Sequence, residues 1–191
     1  MGEVWTLAEY RFGKLSSVSF ELLNRGKSLA QKLNAPLASI ILGFAIKDED
    51  INELIARGAD KVYVVDDKNL ENFLVESYAK VLIELVNEYK PDILLAAATT
   101  TGRTLMPYVA VRIRTGLTAD CTVLDVEDET GNLLQTRPAI GGNILATIKT
   151  PNTRPQMATV RPHSMKPALP EKGRSGEVIG KKHDDSTFKT K

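Results

Sequence analysis

Buried strands and amphipathic helices alternate along the first half of the chain. Short, continuously apolar runs predict four strands, near residues 3–9, 37–44, 61–66 and 92–98. Between them, apolar residues recur at helical spacing, which predicts helices. A strand that lacks regular polar positions is typical of a parallel sheet covered on both faces. The alternation therefore predicts an α/β fold of the doubly wound, mainly parallel, Rossmann-like kind.

The helices carry their own start and stop signals. Pro91 ends the most regular helical pattern, whose apolar stripe comprises Leu74, Tyr78, Val81, Leu82, Leu85 and Val86. After the fourth strand a second pattern follows, "TLMPYVAVRIR". If Thr104 is the N-cap of that helix, Pro107 is its third residue, where a missing N–H costs nothing. The sequence therefore predicts that this helix begins a few residues after the strand ends.

The junction between the fourth strand and that helix, residues 99–103, is "TTTGR". In doubly wound sheets the ligand crevice lies beyond the carboxyl ends of the strands, near the point where strand order reverses. Free amides, threonine hydroxyls and Arg103 at a helix N-terminus would favour an anion or a nucleotide, and Gly102 would let backbone approach closely. The alternative is that the threonines only cap the helix and Arg103 is solvated. Neither glycine-rich phosphate-binding fingerprint occurs in the chain.

Short β-like segments replace the helical periodicity after Gly116. They are separated by turn signals, and we expect them to extend the sheet, with at least one strand antiparallel. Arg137, Arg154 and Arg161 each precede a proline, which favours extended backbone at the arginine. Taken one at a time, these arginine-proline pairs are ordinary at the ends of strands and in edge strands, where proline is tolerated.

Composition excludes several kinds of partner. The 191 residues are 42% hydrophobic, and 25 basic side chains stand against 24 acidic ones, a formal charge of +1. This balance gives no field for nucleic acid or an acidic membrane, so we expect neither nucleic-acid binding nor membrane insertion. One cysteine and two histidines leave no metal-ligand spacing. A reducing, cytoplasmic location is expected.

Three long segments resemble the α subunit of electron transfer flavoproteins, in its first domain. They are "LAEYRFGKL", "TTTGRTLMPYVAVRIRTGLTADCTVLDVE" and "LLQTRPAIGGNILATIKTPNTRPQMATVRP". The resemblance covers residues 3–162 in unbroken order. Motifs of this length at family spacing are far more specific than a short pattern. The pair "TGLTADC" and "RPAIGGN" is most similar to the branch from anaerobic and bifurcating bacteria.

The resemblance implies a heterodimer that carries FAD. Such proteins pass electrons from dehydrogenases, or from NADH in bifurcating members, to a further acceptor. The first domain of the α subunit has an α/β fold like that of adenine-nucleotide α-hydrolases, and a second domain holds FAD. The β subunit resembles the first domain and carries AMP or a second FAD. The resemblance thus implies an electron carrier subunit rather than an enzyme, with bifurcating activity only in the full heterodimer.

The last part of the chain departs from the family pattern. Residues 1–162 are expected to form the first domain, whereas residues 163–191 are rich in lysine, proline and glycine and predict a disordered linker or tail. Nothing resembling the FAD domain follows. We therefore expect a truncated α subunit that binds no FAD by itself.

The resemblance also implies a role for particular residues. Those expected to face the flavin or nucleotide bound by the β subunit are Thr99, Thr101, Gly102, Arg103, Arg137 and Arg161. A guanidinium near a flavin stabilises its anionic reduced forms and so raises its potential. Asp120 and Cys121 are assigned to structure, since a lone cysteine before a strand is usually a small buried apolar residue.

Two other classes of protein share this kind of fold. One is an adenylating enzyme that uses ATP, against which stand the absent phosphate-loop motif and the lack of a paired base and nucleophile. The other is a universal-stress-protein type of module, which binds ATP or AMP as a homodimer. Because fold similarity cannot distinguish these classes, the long motifs decide between them.

Overall fold

A computed structural model describes residues 2–139 and 144–182 of the chain. Within these ranges the strands, in chain order, are β1 (Val4–Ala8), β2 (Tyr10–Arg11), β3 (Lys14–Leu15), β4 (Leu37–Gly43), β5 (Lys61–Asp66), β6 (Ile93–Ala97), β7 (Leu117–Cys121), β8 (Val123–Val126), β9 (Leu133–Pro138), β10 (Leu145–Ile148), β11 (Gln156–Val160) and β12 (Glu177–Gly180). The α-helices are α1 (Val18–Leu33), α2 (Asp48–Ala56), α3 (Val75–Tyr89) and α4 (Thr100–Ile113), and a 3-10 turn spans Lys68–Leu70.

The main sheet has seven strands in the order β12-β5-β4-β1-β6-β11-β7. Every pairing in it is parallel. Side chains of α1 and α2 pack on one face of the sheet, and those of α3 and α4 pack on the other. The predicted doubly wound α/β fold is therefore confirmed. We call the edge where the strands' carboxyl ends meet the carboxyl edge, and the opposite one the amino edge.

The antiparallel strands that follow Gly116 lie in a sheet of their own, which differs from the expectation that they would extend the main sheet. β7 and β11 join the main sheet in parallel, whereas β10, β9 and β8 form a separate antiparallel sheet. Leu124, Val126 and Leu133 of that sheet pack into the same core as α1. The short connection from β8 to β9 imposes an antiparallel pairing, and the apolar side of the hairpin is buried against the main domain.

The apolar stripe predicted for the third helix is buried except at its first member. Leu74 lies just before α3 and its side chain is exposed. The apolar residue that is buried on this approach is Leu70, in the 3-10 turn, and Tyr78 Oη donates to its carbonyl oxygen at 2.8 Å. The helix therefore starts one residue after the predicted stripe does.

Residues 164–182 pack on the domain, in contrast to the disordered linker that their composition predicts. We call residues 164–176 the C-terminal strap. The strap crosses the face covered by α1 and α2: the Ala168 N–H donates to the Phe20 carbonyl at 2.8 Å, and the Glu171 N–H donates to the Ala56 carbonyl at 2.7 Å. β12 then pairs in parallel with β5. Hydrogen bonds to backbone carbonyls of α1 and α2 and pairing with the edge of β5 stabilise this segment, and hydrophobic patterning does not reveal them.

Some of the residues for which the sequence makes predictions lie outside the described ranges. The "IGGN" of residues 140–143 and the last nine residues, 183–191, are not described, so expectations for them stay untested. Among the residues that are described, no helix combines the length and the apolar character needed to cross a bilayer.

Candidate functional site

Helix α4 starts at the junction "TTTGR" itself, earlier than predicted. Its N-cap is Thr99, whose Oγ1 accepts the Gly102 N–H at 3.2 Å. The expectation that Thr104 is the N-cap is wrong: Thr104 lies inside the helix and its hydroxyl donates to the Thr100 carbonyl at 2.9 Å. Pro107 is therefore also internal, where it removes the bond that its N–H would give to the carbonyl four residues earlier. The cap follows directly on the strand because Thr99 supplies the acceptor that the helix start requires.

Gly102 permits a close approach, and the group that approaches is the chain's own backbone. A Cβ at this position would lie 1.9 Å from the Ala97 carbonyl oxygen. The first turn of α4 is thus pressed against the end of β6. In the described structure this glycine serves the packing of a helix on its strand.

A buried carboxylate lies where the strand order reverses, between β1 and β6. Glu9 follows β1 and is 9% exposed. The Thr99 hydroxyl donates to its Oε1, and the Glu9 N–H donates to Ser19 Oγ at 3.0 Å. Burial raises the pKa of Glu9, and the Thr99 hydrogen bond and the charge of Arg11 oppose that rise. Thr99 is therefore engaged on both sides, as a cap for α4 and as a donor to Glu9.

The cavity beside Glu9 is too small for a nucleotide. It has a volume of about 20 Å³ and is lined by residues that include Glu9, Tyr10, Tyr78, Thr101 and Leu105. About one water molecule fits such a space, whereas ligand sites measure roughly 300 Å³ or more. A buried carboxylate also repels phosphate. The point of strand reversal in this chain therefore does not fit AMP, ATP or a flavin.

Positive charge gathers farther along the carboxyl edge, around Asp120. Arg161 follows β11 and donates to Asp120 through Nε at 3.2 Å and Nη2 at 2.7 Å. Arg103 Nη2, from the first turn of α4, lies 3.5 Å from Asp120 Oδ1. Arg137 comes from β9, and its charge acts on both Asp120 and Cys121. We call Arg103, Arg137, Arg161 and Asp120 the arginine cluster.

The cluster is positive and open to solvent. The hydrogen bonds from Arg161 and the charges of Arg161, Arg103 and Arg137 lower the pKa of Asp120. The same contact raises the pKa of Arg161. The side chains of Arg103 and Arg161 are 60% and 45% exposed, against 24% for Asp120. The guanidinium groups therefore outnumber the carboxylate and remain accessible to an anionic group on another molecule.

The structure thus divides the residues that the sequence singled out. It joins Arg103 and Arg161 through Asp120, on whose carboxylate the charge of Arg137 also acts. Thr101 and Gly102 are buried, and Thr99 is half-buried and bonded to Glu9.

The sequence assigns Asp120 to structure, and in the described structure its carboxylate contacts two of these arginines, Arg103 and Arg161. Its signal in the sequence is a carboxylate at the carboxyl end of a parallel strand, within "LTADC". Burial raises the pKa of its neighbour Cys121 to about 11, which suits a structural thiol.

Fold and site together define a doubly wound α/β domain whose accessible charged cluster lies at the carboxyl edge of its sheet. The family model described as "Electron transfer flavoprotein domain" matches residues 4–186. The chain belongs to this family, whose members are flavoproteins.

Curated relatives agree with this assignment. The chain is 50% identical over 177 residues to "Electron transfer flavoprotein subunit alpha" of Thermoanaerobacterium thermosaccharolyticum, covering 93% of this chain and 53% of that protein. It is 53% identical over 159 residues to "Protein FixB" of Clostridium saccharobutylicum, covering 83% and 47%. It is 46% identical over 190 residues to "Electron transfer flavoprotein subunit alpha" of Megasphaera elsdenii, covering 98% and 56%. The chain spans about half the length of these relatives.

Proposed function

We propose that this chain is the first domain of an electron transfer flavoprotein α subunit and that it pairs with a β subunit in an FAD-containing heterodimer. The heterodimer would pass electrons from dehydrogenases, or from NADH if it bifurcates, to a further acceptor. In this role the chain is part of a carrier and not an enzyme by itself. Identity of about half the residues to named α subunits supports the subunit assignment. We place the protein in the cytoplasm on the basis of its single cysteine.

The observation that carries the proposal is the position of the arginine cluster. The ligand crevice of a doubly wound sheet lies at its carboxyl edge, and in this chain the point of strand reversal holds only a small cavity beside Glu9. Farther along the same edge lies a set of accessible guanidinium groups. Such a surface suits contact with an anionic group that another subunit holds.

The residues fit a flavin held by the partner. Bound FAD would supply the redox chemistry, which is intrinsic to the cofactor. Arg103, Arg137 and Arg161 would face it and stabilise negative charge on its reduced form, most strongly where assembly excludes water. We infer that this chain alone holds no FAD, because the family resemblance places FAD in other parts of the heterodimer, namely a second domain of the α subunit and, in some members, the β subunit.

The alternative, an ATP- or AMP-binding module or an adenylating enzyme, is not favoured. Its nucleotide would have to occupy the crevice at the strand reversal, which is small and lined by the Glu9 carboxylate. The family match and the α-subunit relatives also point away from it.

Reconstitution tests the proposal. The complete α subunit that contains this domain is co-purified with its β subunit, and size-exclusion chromatography is combined with an absorption spectrum. We expect a one-to-one heterodimer with a flavin spectrum. Hydrogen exchange should show protection at the carboxyl edge, near Arg103 and Arg161, upon assembly. Failure to associate, together with co-purified ATP or ATP turnover by the α subunit, would refute the proposal and favour the alternative.

A further inference from the structure

Asp120 connects its own strand, β7, with α4 and with the end of β11 at the carboxyl edge. It lies near the end of β7, Arg161 follows β11 and Arg103 belongs to α4. Arg161 binds its carboxylate with two nitrogen atoms, at 3.2 and 2.7 Å, and Arg103 approaches the same group at 3.5 Å. A two-point contact between guanidinium and carboxylate fixes the orientation of the guanidinium plane as well as its position. One carboxylate therefore holds two guanidinium groups side by side.

The backbone at Asp120 is held in an unusual conformation. Its φ is 63°, in the left-handed region that residues other than glycine, asparagine and aspartate rarely adopt. The Asp120 N–H donates to Thr159 Oγ1 at 2.9 Å, and Thr159 is buried. The Arg161 N–H donates to the Cys121 carbonyl at 2.9 Å. Contacts from β11 thus fix both the backbone of Asp120 and that of its partner Arg161.

This left-handed residue lies where the pairing of β7 with β11 shifts register, between the Thr118–Ala158 pair and the Cys121–Val160 pair. Left-handed backbone at a residue with a side chain is tolerated when surrounding contacts determine it, and it concentrates at functional sites. Its effect here is that the carboxylate points toward the two guanidinium groups. The Asp120 side chain therefore contacts the two arginines, while the side chain of its neighbour Cys121 is buried in the core.

The carboxylate also sets the charge of the cluster. Two arginines contact one aspartate, which leaves net positive charge, and Arg137 adds to the field. Removing the carboxylate makes the cluster more positive, and removing an arginine makes it less so. The two changes therefore act in opposite directions on any nearby anion.

We propose that Asp120 is a positioning residue that holds Arg103 and Arg161 together and limits their net charge, and so sets the potential of the flavin carried by the partner. This inference rests on the proposed function, in which the cluster faces that flavin. Asparagine at this position keeps the backbone conformation and one acceptor but loses the charge, whereas glycine keeps the conformation and loses both charge and contact.

Spectroelectrochemistry of the complete heterodimer tests the inference. We expect Asp120→Asn to raise the midpoint potential of the flavin bound by the β subunit and Arg161→Ala to lower it. Asp120→Gly should raise the potential less than Asp120→Asn, because the arginines are no longer held in place. The difference between Asp120→Asn and the wild type should stay constant from about pH 6 to about pH 9, where a carboxylate with a lowered pKa remains ionised.

Asp125→Asn is the matched control, since its carboxylate pairs with Lys32 at 2.5 Å, at the end of α1 near the amino edge. It makes the same change of charge away from the cluster and should leave the potential unchanged. Melting curves accompany each variant as a measure of folding. An unchanged or lowered potential in Asp120→Asn overturns the inference, and so does an equal shift in Asp120→Gly. If Arg103→Ala and Arg161→Ala also leave this potential unchanged, the cluster does not act on the partner's flavin, whereas the proposed function fails only if the two subunits do not associate.

Discussion

Two arginine-proline pairs flank the same strand, and their side chains have different surroundings. Arg154 precedes β11 at the amino edge, and Arg161 follows it at the carboxyl edge. Arg154 donates to the carbonyl oxygens of Pro151 and Thr153 at 3.2 and 3.0 Å and to Asn132 Oδ1 at 3.2 Å. Its Nε also lies 3.7 Å from an Asp92 carboxylate oxygen. Arg161 binds the shared carboxylate of Asp120.

The difference separates two uses of the same residue type. Arg154 connects separate parts of the chain through its contacts with Asn132 and Asp92, so its loss removes links within the domain. A guanidinium that shares one carboxylate with another keeps charge available to an external anion. We infer that the amino edge uses its arginines for folding and that the carboxyl edge uses them toward a partner.

The largest expected effect comes from Gly102, and it sharpens the comparison by showing that the carboxyl edge also contains structural positions. Gly102→Ala forces a methyl group toward the Ala97 carbonyl, 1.9 Å from the new Cβ. Helix α4 must move off β6, which we expect to cost about 3 kcal/mol and to lower Tm by roughly 10 °C. Thermal unfolding of the chain measures it.

Gly180→Ala in β12 is the control for this substitution, since no heavy atom lies within 4 Å of the position where its Cβ would be. Its Tm should change by no more than about 1 °C. A Tm for Gly102→Ala close to that of the wild type would contradict the packing of α4 described above.

A smaller, local effect is expected at the amino edge. Arg174 of the C-terminal strap donates to Asp60 Oδ1 at 2.5 Å and to the Gly58 carbonyl at 3.0 Å. Arg174→Ala should loosen β12 by about 1 kcal/mol and raise amide exchange at Glu177 and Lys181 about five-fold. Lys172→Ala, on the exposed side of the same strap, is the control. Equal exchange in both variants would mean that Arg174 does not hold this segment.

The smallest effect concerns the buried charge of Glu9. Burial raises the pKa of Glu9 in the folded state. The protonated carboxyl therefore favours the folded protein fully below the unfolded-state pKa of about 4.3, and this contribution to the free energy of unfolding is lost as the pH rises through the folded-state pKa. Glu9→Gln should therefore be more stable than the wild type at about pH 7 and equal to it below about pH 4. Denaturation at several pH values measures the difference. Glu129→Gln, at an exposed turn, should show no such trend, and a Glu9→Gln chain that is less stable at neutral pH would contradict the burial cost.

Sequence reasoning succeeded where hydrophobic pattern determines structure. The strands predicted near 37–44 and 61–66 correspond to β4 and β5, which are buried along most of their length. It failed where hydrogen bonds determine structure, as at the cap of α4. Thr99 and Thr104 are both suitable caps, and the contact of Gly102 with Ala97, which places the helix start, involves no apolar side chain.

The candidate site was predictable in part for the same reason. Arg103 and Arg161 were found from the carboxyl-edge rule and from family motifs, but the carboxylate that joins them was not. Asp120 reaches them through a left-handed backbone, which no local pattern signals. The C-terminal strap likewise has few apolar residues, and its backbone bonds to Phe20 and Ala56 cannot be read from composition.

The midpoint potential of the β-subunit flavin tests the central claim most directly, when it is measured for Arg161→Ala beside Arg154→Ala in the complete heterodimer. Both variants remove one guanidinium next to the same strand, at opposite edges of the sheet. We predict that Arg161→Ala lowers the potential while changing the stability of the domain by no more than about 1 kcal/mol, the size of a solvent-exposed ion pair. Arg154→Ala should leave the potential unchanged and lower the Tm. Equal potentials in Arg161→Ala and the wild type, with assembly also unaltered, would contradict the claim that the carboxyl edge faces the partner's flavin.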